Sequence, residues 1–186
     1  SCGVQACLTQ GLSRFDVMRK GPTDDPTKVR GWGFAAGSHT TASGATGTDS
    51  SEARLTLHEN GELIADTASI DNGQGSDTVM AQMISEETDI PLSDIDIRRF
   101  STTDELDDIL GAVASRSTYI IGAAVRDGAE TLRQTIVERA AERFDASPDD
   151  ISLQDGTVRV GDTEVPIGEF VDEDGQLTVY GDAVSD

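Results

Sequence analysis

The sequence predicts an α+β fold in which mixed and antiparallel strands pack with two or three amphipathic helices. Three observations carry that prediction. Ile121, Val125, Ala129, Leu132, Ile136, Ala140 and Phe144 recur at spacings of three or four, the pattern of one long helix with a single buried face. Ala53, Leu55 and Leu57, and then Leu63, Ala65 and Thr67, alternate with other residues on either side of Asn60-Gly61, a strong short hairpin signal. Beyond Ile151, short alternating runs are punctuated by Asp155-Gly156 and Gly161-Asp162, so hairpin signals outnumber strand–helix–strand signals.

Taken in order, Val4, Leu8, Leu12 and Phe15 mark a first amphipathic helix. Residues 19–30, with Pro22, Pro26 and Asp24-Asp25, read as a polar connection. Gly31-Trp32-Gly33-Phe34-Ala35-Ala36-Gly37 reads as a buried strand relieved by glycine, and Thr40 to Ser51, small and polar, as an exposed loop. After the hairpin come Gly73-Gln74-Gly75 and a helix with Val79, Met80, Met83 and Ile84 on one face, stopped by Pro91. Ile95 and Ile97 alternate in a short strand, and Thr102 to Leu110 is acidic and irregular. Leu153, Val158, Val160, Val165, Ile167, Leu177 and Val179 mark the closing strands. The expected organisation is one domain over 1–186, with a leading helix at 1–20, a core at 31–145 and a small β-rich tail at 146–186.

Asp and Glu total 35 against 14 Lys plus Arg, a net charge of −21. The acids are scattered, as in Asp24-Asp25, Glu86-Glu87, Asp107-Asp108 and Asp149-Asp150, while Lys20 and Lys28 are the only lysines. With no basic patch to neutralise phosphates, nucleic acid is excluded as a partner. Dispersed acid that keeps its periodic apolar positions resembles the proteins of salt-in halophiles, where molar salt screens self-repulsion. No run of 18 apolar residues and no basic leader before an apolar stretch is present, so no membrane partner and a cytoplasmic location are expected. Cys2 and Cys7 form neither a CxxC pair nor part of a four-cysteine set, which argues against an iron–sulfur cluster or structural zinc within this chain. His39 and His58 have no Glu or Cys at metal-ligand spacing and read as strand or loop residues.

Two places combine glycine with a helix start. Gly73-Gln74-Gly75-Ser76-Asp77 is one, and Gly111-Ala112-Val113-Ala114-Ser115-Arg116-Ser117-Thr118 is the other. The first turn of a helix has unpaired N–H groups and a dipole that favours negative charge, and an approach without side chains lets a phosphate reach them. Ser115, Ser117 and Thr118 add hydroxyls, Arg116 a guanidinium suited to phosphate or a heterocycle, and Gln74 an amide suited to a pterin or base edge. Each stretch taken alone also reads without a ligand, as a strand-to-helix turn and as a serine/threonine helix cap.

The order of motifs resembles the molybdenum-cofactor-binding large subunit of the xanthine oxidase family, which includes xanthine dehydrogenases, aldehyde oxidoreductases, carbon monoxide dehydrogenases and 4-hydroxybenzoyl-CoA reductases. The similarity runs through residues 30–37, Glu52-Ala53-Arg54-Leu55, the Asn60-Gly61 hairpin, and Gly73-Gln74-Gly75-Ser76-Asp77-Thr78-Val79-Met80-Ala81-Gln82, where it is sharpest. It continues through Ile90-Pro91, residues 95–98, Ala114-Ser115-Arg116-Ser117-Thr118-Tyr119, Gly122-Ala123-Ala124-Val125 and Leu153-Gln154-Asp155-Gly156. The resemblance implies a fragment of the large-subunit fold, the first part of its second cofactor domain. It implies a molybdopterin cofactor, in the cytosine dinucleotide form, with Gly73, Gln74 and Gly75 on one side and Ala114, Ser115, Arg116 and Ser117 on the other. The metal is then held by the pterin dithiolene, so no protein metal ligand is expected. The family's first cofactor domain and its C-terminal glutamate base have no counterpart within residues 1–186, so no catalytic residue is assigned and the isolated chain is expected to be inactive and without cofactor. Partners implied are the remaining large-subunit segments, an iron–sulfur subunit and an FAD subunit. The alternative is a non-catalytic docking or degenerate subunit of such a complex.

A charge of −21 on 19.6 kDa makes stability depend on salt. The thermal midpoint, followed by circular dichroism, is expected to rise from low ionic strength to molar potassium chloride. A midpoint that is flat or falls over that series refutes the halophilic reading.

Overall fold

Alternation in the hairpin builds the centre of the fold. The computed structural model describes residues 3–18, 21–31, 33, 49–99, 106, 112–113 and 115–185. The strands β1 (Asp49–His58) and β2 (Leu63–Thr67) pair antiparallel, with Leu55 opposite Ala65 and Leu57 opposite Leu63. Because side chains alternate across a strand, Ser51, Ala53, Leu55 and Leu57 all turn to the buried face. The turn between the strands is set by Gly61 at φ 86° and by Asn60, whose Oδ1 accepts the Glu62 amide at 3.1 Å.

From β2 the chain passes through α2 (Ser76–Thr88) to β3 (Ile95–Arg99), which lies parallel to β2 with Leu63 beside Ile95 and Ala65 beside Ile97. This is one strand–helix–strand unit among the hairpins. The long helix α3 (Gly122–Phe144) buries the face read from the sequence, from Val125 to Ala140. It leads to a three-stranded antiparallel meander of β4 (Ile151–Gln154), β5 (Thr157–Val160) and β6 (Thr163–Pro166). The last strand, β7 (Gln176–Ser185), returns to the first sheet and pairs with β1 along its whole length, from Asp49↔Ser185 to His58↔Gln176. The first sheet therefore runs β3-β2-β1-β7. The α+β class expected from the sequence is the class found, and the final strand of the 146–186 segment belongs to the core sheet.

The expectation of an exposed loop from Thr40 to Ser51 is corrected at its end. Asp49 already lies in β1, and Ser51 is buried because β7 pairs alongside it, opposite Ala183. Small polar residues read as loop from composition, yet a partner 132 positions later in the chain supplies the ladder. Gly31 and Gly33 lie outside regular structure; the rest of the strand read at 31–37, Thr40 to Thr48, and residues 102–110 apart from Leu106 lie outside the described residues.

The chain divides into two compact units, Ser1–Ala42 and Ser43–Asp186. In the first, α1 (Val4–Met18) forms as its spacing predicts and carries Cys7 exposed. The polar connection after it is tied by its own side chains. The Asp25 carboxylate accepts from the Thr27 amide at 2.9 Å and hydroxyl at 2.6 Å, and the Arg30 guanidinium donates to the Gly21 carbonyl at 2.8 Å.

In the second unit, inward side chains shrink along the sheet from Leu57 through Leu55 to Ala53, and on β7 from Val179 to Gly181. There α3 comes closest. A Cβ on Gly181 would fall on the Gly128 amide nitrogen and the Ala124 carbonyl oxygen, both backbone atoms of α3. At Gly122 a Cβ would meet only the end of the flexible Met83 side chain on α2, at 3.0 Å, besides its own turn. Gly181→Ala is therefore expected to destabilise by about 1–3 kcal/mol or more, since backbone cannot step aside. Gly122→Ala should be close to neutral, because relief of about 0.5–1 kcal/mol of helix entropy offsets the shift of Met83. Denaturant midpoints of the two variants check the contrast.

Candidate functional site

The two glycine-bearing helix starts converge. Asn72, Gln74, Ser76 and Val79 from the first line one open cavity of about 480 Å³ together with Ala112, Val113, Ser115, Arg116, Ser117 and Thr118 from the second. The convergence follows from the fold. The loop before α2 leaves the end of β2, and α2 packs on α3 through the Met83–Gly122 approach, so both helices open at one end. Ligand crevices outside strand ends, at helix N-termini, are the usual location in such units.

At the first mouth, Gly73 and Gly75 adopt φ 100° and 81°, and nothing lies within 4 Å of where a Cβ would stand on either. Their glycines thus serve a left-handed loop facing open space. The loop amides are already occupied, however. The Asp71 Oδ1 accepts from the Gly73 amide at 2.7 Å and the Gly75 amide at 3.3 Å, and its Oδ2 from the Asp77 amide at 3.4 Å. The Gly73 hydrogen bond above all holds the Asp71 carboxyl below the usual carboxylate range; burial opposes it, and lesser contributions from the Gly75 and Asp77 amides and the charge of Arg99 reinforce it. A chain carboxylate therefore sits where the sequence suggested an incoming phosphate.

Gln74 is committed too. Its Nε2 donates to the Ile70 carbonyl at 2.7 Å and the Ser76 hydroxyl at 3.2 Å, while its Oε1 accepts the Asn72 amide at 2.6 Å. Both N–H groups are spent on the loop, and the remaining capacity towards the cavity is an Oε1 lone pair.

The second mouth is built differently. Ser115 stands at φ 65°, a conformation uncommon for a residue with a side chain, and is followed by a π-helical turn over Ser117–Ile121 that runs into α3. Left-handed residues and π-turns both concentrate at functional sites. Among the described residues no side chain caps this helix start. Ser115 and Thr118 are exposed on the cavity, whereas Ser117 is nearly buried. The Arg116 guanidinium is also buried, at 4% exposure, and is directed to β1. Its Nε stands 2.8 Å from both Asp49 carboxylate oxygens, and an NH2 group donates to the Ser50 carbonyl at 2.7 Å. The guanidinium offered by the sequence as a phosphate or heterocycle partner is used within the protein. Ala114 lies outside the described residues.

The cavity thus gathers Gln74, Ser115, Arg116 and Ser117 of the residues singled out from the sequence, whereas Gly73 and Gly75, on either side of Gln74, do not line it. Sequence reasoning missed Asp71 and Asp49. Asp71 carries a legible signal, an Asx-type residue two positions before a glycine. Asp49 carries none, because its partner lies 67 residues away.

The family model described as molybdopterin cofactor-binding domain matches residues 10–184. The putative xanthine dehydrogenase molybdenum-binding subunit of Escherichia coli strain K12 is 29% identical over 161 residues, covering 85% of this chain and 21% of that protein. The 6-hydroxypseudooxynicotine dehydrogenase complex subunit gamma of Paenarthrobacter nicotinovorans is 36% identical over 110 residues, covering 59% of this chain and 14% of its own length. Among solved structures, reconstituted CO dehydrogenase from Oligotropha carboxidovorans superposes with a TM-score of 0.59 at 26% identity, over 70% of this chain and 18% of that one. The chain thus spans about a fifth or less of the proteins it matches. Since the family model covers nearly all of it, the chain belongs to the molybdopterin cofactor-binding domain family of the xanthine oxidase class.

Proposed function

We propose that this chain supplies one wall of the cofactor cradle of a molybdenum hydroxylase-type oxidoreductase, with the cavity between the two helix mouths as the cofactor-facing surface. The observation that carries the reading is the convergence of both motifs on one cavity of about 480 Å³. The lining suits a molybdopterin in a particular way. Its polar groups are hydroxyls and amides, its charged guanidinium is neutralised by Asp49, and the positions in front of Gly73 and Gly75 are open. Neutral donors and acceptors match the edges of a pterin, and the uncapped start of the second helix retains the positive end of its dipole.

When bound, the cofactor supplies the molybdenum and its redox chemistry. This chain's residues supply binding and orientation. The hydroxyls of Ser115 and Thr118 would hold the ligand at the α3 mouth, and Gln74 Oε1 would accept from it at the other side. Gly73 and Gly75 would leave room for its approach, and Val79 would exclude water from one wall.

The proposal extends to the remaining assembly. The relatives are named as a molybdenum-binding subunit and a complex subunit gamma, which supports partner subunits in general. In this reading they are the remaining large-subunit segments, an iron–sulfur subunit and an FAD subunit. The cytosine dinucleotide form of the cofactor, a cytoplasmic location and a halophilic source are part of the same reading; the last is supported by the net charge of −21. No helix among the described residues is long and apolar enough to cross a membrane.

A second reading, a non-catalytic docking or degenerate subunit, is favoured by one observation: Asp71 and Gln74 satisfy the first loop from within. Thr118→Trp in the complete large subunit separates the two. Thr118 is exposed on the cavity, so the variant should leave the thermal midpoint of the isolated chain nearly unchanged, within about 0.5 kcal/mol of stability. It should lower molybdenum and pterin content at least tenfold by filling the space. Normal loading with tryptophan at 118 refutes the cofactor reading.

Asp71 has its own signature. A carboxyl held below its ordinary value of 3.8 contributes stability that is present above that pH and is lost as pH falls through the lower folded value. Asp71→Asn should therefore lower the thermal midpoint at neutral pH, with the gap to the parent closing as pH drops below about 3.8. A gap that is constant across that range would show that the charge of Asp71 contributes nothing.

A further inference from the structure

We propose that Asp49, at the start of β1, is a positioning residue for the α3 mouth of the cavity, acting through Arg116; this rests on the reading of that cavity as the cofactor surface. Three observations meet there. The Arg116 guanidinium is buried at 4% exposure and the Asp49 side chain at 16%, with Nε at 2.8 Å from each carboxylate oxygen. Arg116 is flanked by Ser115 and Ser117, both in the cavity wall. Those neighbours hold costly backbone, a left-handed residue at φ 65° and the first residue of a π-turn. Such conformations persist only where their surroundings over-determine them. Arg116 is fixed to β1 at two places, the Asp49 carboxylate and the Ser50 carbonyl, so the strained backbone on either side of it cannot relax without breaking buried, charge-assisted hydrogen bonds.

The same pair sets the charge of the wall. Removing one member of a buried ion pair is strongly unfavourable. Arg116 also lines the cavity, so loss of the Asp49 carboxylate, which holds its Nε, alters the charge of the wall and loosens its tie to β1 together. The ion pair joins residues 67 apart in sequence and ties the cavity to the central sheet rather than to the local loop.

The test uses the complete large subunit assembled with its partners, reading molybdenum and pterin content per subunit beside the thermal midpoint. Asp49→Asn should lower loading at least tenfold and also lower the midpoint. The double variant Asp49→Asn with Arg116→Met removes the buried charge while keeping apolar volume. It should recover the midpoint while loading stays low, because the tie from Arg116 to β1 that holds Ser115 and Ser117 is then lost. Asp49→Glu, which keeps the carboxylate, should recover part of both. Full loading in Asp49→Asn overturns the proposal, as does recovery of loading in step with the midpoint in the double variant, the result expected if the pair only stabilises the fold. If Thr118→Trp loses cofactor while Asp49→Asn loads fully, the cavity reading stands and the role of Asp49 alone falls. If Thr118→Trp loads normally, the cavity reading falls and the role of Asp49 falls with it.

Discussion

The close crossing of α3 over β1 and β7 governs the second unit. Packed layers usually keep side chains between their backbones, as in stacked sheets about 10 Å apart, but at Gly128 and Gly181 backbone meets backbone. That approach fixes the helix along its axis and about it, since a slide by one residue would bring a Cβ into the gap. Everything at the cavity inherits this precision. The α3 mouth lies three turns before the crossing on the same helix, and α2 is placed by packing on that helix. Sites carried on rigid elements are held more closely than sites on free loops.

The two walls of the cavity are stiffened by opposite devices. At the loop before α2 a carboxylate receives amides, and at the α3 mouth a carboxylate receives a guanidinium. Both put a negative group behind the wall and satisfy donors from the protein side. A wall of this kind keeps its shape without a ligand and loses little conformational freedom when one arrives, which favours binding. These two carboxylates are turned towards their own donors.

Much of the architecture was legible in the sequence because it depends on local periodicity. The burial of Val125, Ala129, Leu132, Ile136 and Ala140 on one helix face, and of Leu55 opposite Ala65, follows from spacings of three and four or of two. The convergence of Gly73-Gln74-Gly75 with Ser115 to Thr118 depended on the family resemblance, since nothing local brings segments forty residues apart to one cavity. What stayed hidden was pairing at long range. Ser51 looked like loop because its ladder partner, Ala183, comes from the other end of the chain. Arg116 looked like a ligand group because its carboxylate belongs to that same misread stretch. A residue type announces what a side chain is able to bind, and the tertiary fold decides which partner reaches it first.

The ten-residue pairing of β1 with β7 bears on how such a unit is carried. Its opening strand and its closing strand are hydrogen-bonded neighbours, with Asp49 beside Ser185, so polypeptide arrives and departs through a single gate about 5 Å wide. A module whose strands bring two distant stretches side by side can sit within a longer chain as a bead on a folded-back thread. The gatepost on the arriving side is Asp49, whose other duty is the grip on Arg116. The strand end where the thread enters and the wall of the cavity are thus joined by one ion pair.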